Sequence, residues 1–415
     1  MSSDAHNSNT ETICMFTPAA EGGHARYAME MMTALAEHPH AGYRFELVSA
    51  ENLEAQFRSS RYPVHAVLPP IRERYSFKSP LHWAVNRFFY YPRRELAFLR
   101  WLKLRPDIAA VHLQEWKPWL AAPMIRAIQK MGKKVYYTVH NVLPHRYPKW
   151  MPKWVMHAWI RRACRMCDGL FVLSDQLAGK LSDFLGPRHP PIRVTPHGVW
   201  TVGDSVQNVS MEERLSWKRL LFFGTIRRNK GLDLLLRAAD KLPGYGLTIA
   251  GAPEDLEYFQ KEILPRVKSL RDTGTRVDLL DRFVPDEELE KLFATHSAIV
   301  LPYTQGFQAQ SGVAFMALAY GLPMVASDVG GLADLMREFK VGVTFRDATP
   351  ECLTAAVREL YAEGSHRHLA GQIQAARQHY SWTVAARETI ACYSVATQGR
   401  KESADASIIQ TYPVH

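Results

Sequence analysis

A chain of 415 residues, 47% hydrophobic and 22% charged, exceeds what one core organises, since cores stop growing near ~250–300 residues, and two domains are expected. It has no run of ~18 apolar residues to span a bilayer, and residues 1–9 carry neither a basic start nor an apolar stretch, so the expectation is a cytoplasmic protein rather than a transmembrane or secreted one. The net charge of +10 is local: within residues 83–165, 17 Lys and Arg face only Glu95, Asp107 and Glu115, which points to an anionic surface or partner on the N-terminal half.

Short apolar runs alternate with amphipathic helical spacing from end to end, the pattern of parallel-sheet α/β domains. The first strand is predicted at 12–17, followed by a turn over 18–23 and a helix over about 24–37. Later strands in this half are predicted at 45–49, 108–113, 134–139, 169–173 and 192–195. Residues 201–216 turn polar and aperiodic, as expected of a linker. The alternation then restarts, with strands at 219–223, 246–250, 277–280, 298–301, 324–326 and 342–345. The expected architecture is thus two doubly wound, Rossmann-like α/β domains, 1–200 and 217–379, facing a cleft. A final helix over 380–397 is expected to pack back on the N-terminal domain, ahead of a disordered tail at 398–415. Cys14, Cys164, Cys167, Cys352 and Cys392 are too scattered to complete a zinc site and read as reduced, mostly buried thiols.

Sheets of this kind bind ligands beyond the carboxyl ends of their strands. At such a place stands Phe222-Phe223-Gly224-Thr225-Ile226-Arg227-Arg228-Asn229-Lys230-Gly231, a buried strand, a tight turn, three cations and then an apolar helix. Arg227 and Lys230 are placed to converge on phosphate, with a helix N-terminus behind them; a solvated basic turn would look the same.

This segment resembles the donor-phosphate segment of family 4 retaining glycosyltransferases of the GT-B fold, also called group 1 glycosyltransferases. The order and spacing of five other segments strengthen the resemblance: Gly22-Gly23, Thr138-Val139-His140-Asn141, Asp168-Gly169-Leu170-Phe171-Val172-Leu173-Ser174, Pro196-His197-Gly198-Val199 and the run from Gly321 to Gly331. It implies hexosyl transfer with retention from a GDP- or UDP-sugar to a glycan or lipid-linked acceptor, in surface polysaccharide biosynthesis. The N-terminal domain would bind the acceptor and the C-terminal domain the nucleotide-sugar. It further implies that Arg227 and Lys230 stabilise the leaving diphosphate, so that no metal or other cofactor is expected. His140 and the Gly22-Gly23 loop would face the reacting sugar, Gly224 and Thr225 would lie at the donor, and His197 is a further candidate for the cleft.

Two departures from the family pattern stand out. Thr225 occupies the position where an Arg usually follows the strand-ending Gly, and Arg227 is the replacement charge. The paired Glu of most relatives is lost as well: counting back from Gly321 puts Gln308 and Met316 in their places, whereas a rival register starts from Gln305-Gly306-Phe307. Gln308 can still bond sugar hydroxyls, and Met316 cannot accept a ribose O–H bond well. In either register Gln310, Ser311 and Gly312 open a helix whose N–H groups suit a β-phosphate, with Ser311 as its cap.

Residues 83–94 and 149–162 interleave aromatics with cations, a mixture that suits an anionic membrane surface and a lipid-linked acceptor. No nucleic-acid module accompanies it. Peripheral attachment to the inner face of the cell membrane is the corresponding expectation. A non-catalytic, membrane-associated nucleotide-sugar-binding protein and a nucleotide-sugar epimerase remain alternatives.

Overall fold

The computed structural model describes residues 11–20, 22–38, 42–55, 58, 60–70, 80–144, 147, 151–202, 209–305, 307, 310–364 and 367–402, without side chains for 80–88, 286 and 394–402. Gln308, Lys149, Trp150, residues 203–208 of the polar stretch and residues 403–415 lie outside them. The chain divides into two compact units, one formed by Met1–Pro196 with Trp382–His415 and the other by His197–Ser381.

In the first unit, β1 (Glu11–Phe16), β2 (Tyr43–Ala50), β3 (Val64–Leu68), β4 (Ile108–Leu113), β5 (Lys134–Val139), β6 (Gly169–Val172) and β7 (Ile192–Val194) form one sheet. Its order is β3-β2-β1-β4-β5-β6-β7, and its pairings are parallel. The strand order therefore reverses between β1 and β4. The connecting helices are α1 (Gly22–Glu37), α2 (Pro80–Lys103), α3 (Pro118–Lys130), α4 (Lys153–Met166) and α5 (Asp175–Leu185). Phe98 and Leu102 of α2, Ile125 of α3, Met156 and Ile160 of α4 and Leu181 of α5 share one core with Phe16, Val111 and Leu113 of the sheet. Apolar residues spaced three and four apart along each helix are what allow that face to be buried. Strand β3 escapes sequence reading because it is a short edge strand between Pro63 and Pro69, with most of its side chains only half buried.

The second unit contains α6 (Met211–Ser216), β8 (Arg219–Phe223), α7 (Leu232–Ala239), β9 (Gly246–Ala250), α8 (Leu256–Tyr258), α9 (Leu264–Asp272), β10 (Val277–Leu280), α10 (Asp286–Ala294) and β11 (Ala298–Leu301). It continues with α11 (Gly312–Ala319), β12 (Met324–Ser327), α12 (Gly330–Phe339), β13 (Gly342–Phe345), α13 (Pro350–Leu360) and α14 (Leu369–His379). Its parallel sheet runs β10-β9-β8-β11-β12-β13, so here the order reverses between β8 and β11. Part of the expected linker is helical: Ser210 caps α6 by accepting from Glu213 N, and the chain already enters this unit at His197.

Helix α15 (Trp382–Glu402) extends five residues into the stretch expected to be disordered and belongs to the first unit, where it packs on α1. Its anchor is Tyr393, 1% exposed, whose ring lies 5.0 Å from Tyr136, 5.5 Å from Phe171 and 5.9 Å from Tyr43. The Tyr393 hydroxyl bonds His112 Nδ1, and His112 Nε2 bonds Thr138 Oγ1 at 2.7 Å. Burial lowers the His112 pKa from 6.5 to about 3. All five cysteines are free thiols, Cys14, Cys164 and Cys167 buried and Cys352 and Cys392 partly so.

Tyr393→Ala removes a buried aromatic and is expected to cost about 3–5 kcal/mol in urea unfolding. Tyr393→Phe, which loses only the bond to His112, should cost about 1–2 kcal/mol. The folded state keeps His112 neutral while the unfolded chain protonates it near 6.5, so its contribution is full above that pH and is lost on acidification toward about 3. Stability should fall by about 1.4 kcal/mol per pH unit from this group, and His112→Gln should flatten the slope by that amount.

Candidate functional site

In the second unit the two predicted donor segments follow β8 and β11, the neighbouring strands between which the order reverses. A crevice opens at such a point because successive crossovers leave in opposite directions. Gly231 welds the two loops together. It has a φ of +66°, and a Cβ built on it would stand 1.8 Å from Pro302 O, so only glycine fits. Thr304 N donates to Asn229 O at 3.1 Å, and Gly224 faces Val313 of α11, whose Cγ2 would be 3.3 Å from a Cβ at that position.

This weld carries Lys230 inward. Its side chain is 6% exposed, with Nζ 3.8 Å from the centre of the Tyr303 ring and 4.6 Å from that of Phe307. Burial, reinforced by the charge of Arg227, holds its pKa well below the usual lysine value of 10.5. The ring faces partly replace lost hydration of the ammonium. Arg227 sits at the mouth of the turn, 3.6 Å from Glu254, with its Nε buried and unpartnered among the described residues. Arg228 is directed elsewhere: it bonds Glu262 at 2.6 Å, lies 3.8 Å from Asp255 and covers the Tyr258 ring at 4.7 Å. Of the three cations in the motif, Arg227 and Lys230 are thus brought together and Arg228 is not. Thr225 is exposed beside them.

Ser311 holds the N-cap position of α11, and its hydroxyl does not cap the helix. It bonds the Tyr303 hydroxyl at 2.9 Å instead, which corrects the expected cap: the Ser311 side chain does not meet the first-turn N–H groups, which by their nature favour an anion. Trp200 Nε1 donates to Gly312 O at 2.8 Å. His197 stacks on Phe315 of α11 at 4.4 Å and 14° and bonds Gly198 O through Nδ1 at 2.6 Å, so it packs behind the helix. Gln310 is half buried just before it, and Met316 is 9% exposed. Sequence reasoning missed Tyr303 and Trp200. The only available signal for Tyr303 was its place just beyond a strand end.

In the first unit, His140 follows β5 and its ring meets His24 at 4.9 Å and Tyr27 at 5.0 Å, both edge-on. His24 and Tyr27 belong to α1, which Gly22 opens with a φ of +73°, and, chain neighbours and the helix's own backbone aside, no atom of the described residues lies within 4 Å of a Cβ built on Gly22 or Gly23. The Gly22-Gly23 turn and His140 are therefore neighbours, through His24.

Two family models divide the chain between them: "Glycosyltransferase Family 4" matches residues 21–201 and "Glycosyl transferases group 1" matches residues 217–363. A glycogen synthase of Mycobacterium tuberculosis is 26% identical over 311 residues, 72% of this chain and 71% of that protein. Among solved structures, sucrose-phosphate synthase from Thermosynechococcus elongatus superposes with a TM-score of 0.70 at 16% identity, covering 94% of this chain and all of that one. HepE from Anabaena, solved in complex with UDP, gives 0.67 at 13% identity over 93% of this chain and all of its own. The chain belongs to the group 1 glycosyltransferases of the α/β GT-B fold, and it is a transferase.

Proposed function

We propose that the chain transfers a hexosyl unit, with retention of anomeric configuration, from a nucleoside diphosphate sugar to a glycan or lipid-linked acceptor in surface polysaccharide synthesis. The observation that carries the donor reading is the convergence of Arg227, buried Lys230 and the uncapped start of α11 at one strand-order reversal. As the bond from C1 to the diphosphate oxygen breaks, negative charge collects on the departing nucleotide. Two fixed cations and oriented N–H groups are complementary to that charge without having to reorganise. The same set supports transfer without a metal. The acceptor oxygen forms the new bond to C1 and passes its proton to the departing diphosphate oxygen, and His140 is the titratable side chain we assign to the sugar side. HepE's complex with UDP makes uridine the first base to test, ahead of guanosine.

Membrane attachment is supported by the outer faces of α2 and α4. Phe89, Arg93, Leu96 and Arg100 recur at helical spacing on α2, with Phe89 64% and Leu96 50% exposed. Trp154, 72% exposed, lies near Arg162 and Arg165 along α4. Exposed apolar groups among cations suit an anionic leaflet, each cation adding about 1 kcal/mol. No helix among the described residues is long and apolar enough to cross a membrane.

Purified protein incubated with UDP- and GDP-hexoses and a membrane extract is expected to form glycosylated product, unchanged by EDTA, with the donor's anomeric configuration by NMR. Absence of product with every donor, or conversion of the sugar without an acceptor, would overturn the reading. Lys230→Met should weaken binding of UDP or GDP, read by calorimetric titration, by roughly 10- to 100-fold, and unchanged affinity would refute its place at the diphosphate. Sedimentation should recover the protein with vesicles containing phosphatidylglycerol and not with pure phosphatidylcholine, and Phe89→Ser with Trp154→Ser should lower recovery severalfold; equal recovery with both lipids would refute attachment.

A further inference from the structure

The first unit carries a second set of groups at its own strand-order reversal. Thr17 and Gln114 directly follow β1 and β4 and continue their ladder, since Gln114 N donates to Phe16 O at 3.0 Å and Thr17 N to Val48 O at 3.0 Å. Phe16 and Leu113 point into the core beneath α2 to α5. By strand alternation, Thr17 and Gln114 take the opposite side, that of His112, Thr138 and, one step further out, His140. Each is 1% exposed, yet neither the Thr17 hydroxyl nor either polar atom of the Gln114 amide has a hydrogen-bond partner among the described residues. Val and Met would fill nearly the same volumes without that cost.

What the pair lacks defines what it would take. Gln114 offers an N–H donor on one side and a carbonyl acceptor on the other, and Thr17 a hydroxyl that is both. Neither has charge. Of the charges nearby, Lys117 Nζ bonds Glu115 at 2.7 Å, and Arg94 Nη2 donates to Pro18 O at 2.8 Å while its Nε has no hydrogen-bond partner among the described residues. A sugar ring, with neighbouring hydroxyls that both donate and accept, has the complementary chemistry. An anionic or apolar group does not. The Gly22-Gly23 turn leaves open space at the start of α1, beside His24 and His140.

We propose that Thr17 and Gln114 bind hydroxyls of a neutral sugar ring and help set which sugar this enzyme uses, an inference that rests on the glycosyl-transfer reading above. The hydroxyls belong either to the donor's hexose or to the acceptor.

The full-length wild type, Thr17→Val and Gln114→Met are titrated with UDP and GDP, then with UDP-glucose and GDP-mannose. They are also titrated with methyl α-glucoside, methyl α-mannoside and myo-inositol in the presence of whichever nucleotide binds. Both variants are expected to bind bare nucleotide within twofold of wild type. They should lose about tenfold in affinity for at least one sugar-bearing ligand. Their thermal midpoints should equal or exceed that of wild type, because a group without a protein partner has been removed; a purely structural role predicts lower midpoints with sugar binding intact. Loss confined to nucleotide-sugars assigns the donor hexose, and loss confined to the free glycosides or inositol assigns the acceptor. The inference is overturned, with the donor site intact, if wild type binds bare nucleotide and the variants match it for every sugar, or if wild type gains nothing from any sugar. Failure of wild type to bind either nucleotide overturns the transfer reading itself and this inference with it.

Discussion

The proposed donor side of this enzyme depends on one steric constraint, the absence of a side chain at Gly231. Pro302 O occupies the place of its Cβ, so the loop after β8 and the loop after β11 share a volume that neither could share with any other residue there. Their contact draws Lys230 beneath Tyr303 and Phe307 and out of water. A lysine in such a place is costly as an ammonium. Under the proposed donor reading, a bound diphosphate offsets that cost through an interaction stronger than a solvent-exposed lysine could provide.

The elements around this weld keep other donors unspent. Tyr303 takes up the Ser311 hydroxyl that would otherwise cap α11, while Trp200 and His197 hold the helix from behind through Gly312 O and Phe315. Arg228 contributes in the opposite sense. Its pairing with Glu262 and its position over Tyr258 fasten the β8 loop to the helical segment after β9, leaving Arg227 and Lys230 as the cations of the site.

The first unit repeats the geometric logic with different chemistry. Its strand order also reverses beside the central strand, between β1 and β4, and the residues placed there are a neutral hydroxyl and a neutral amide rather than cations. Helix α15 closes the same side of this sheet: Tyr393 lies among Tyr43, Tyr136 and Phe171 and bonds His112. The last helix of the chain is thereby packed behind the central strands of this sheet, with Tyr393 281 residues from His112 in sequence.

The amino-acid sequence alone determined the parts that depend on local pattern. Twelve of the thirteen strands are apolar runs legible by eye, and glycines and cations at strand ends marked the loops after β5, β8 and β11, because periodicity and turn chemistry are written within a few residues of one another. β3 was lost since an edge strand need not be continuously apolar, and α6 since six residues carry too little period. The tertiary structure decided everything that depends on a partner far along the chain. Arg228 looks equivalent to Arg227 until Glu262 claims it. Ser311 looks like a cap until Tyr303, eight residues earlier, takes its hydroxyl. Thr17 and Gln114 look like ordinary polar residues until the β1–β4 pairing buries them side by side with no hydrogen-bond partner for their side chains among the described residues. Local sequence specifies which groups a segment offers; whether a group is spent or left open depends on which distant residue the fold brings to it.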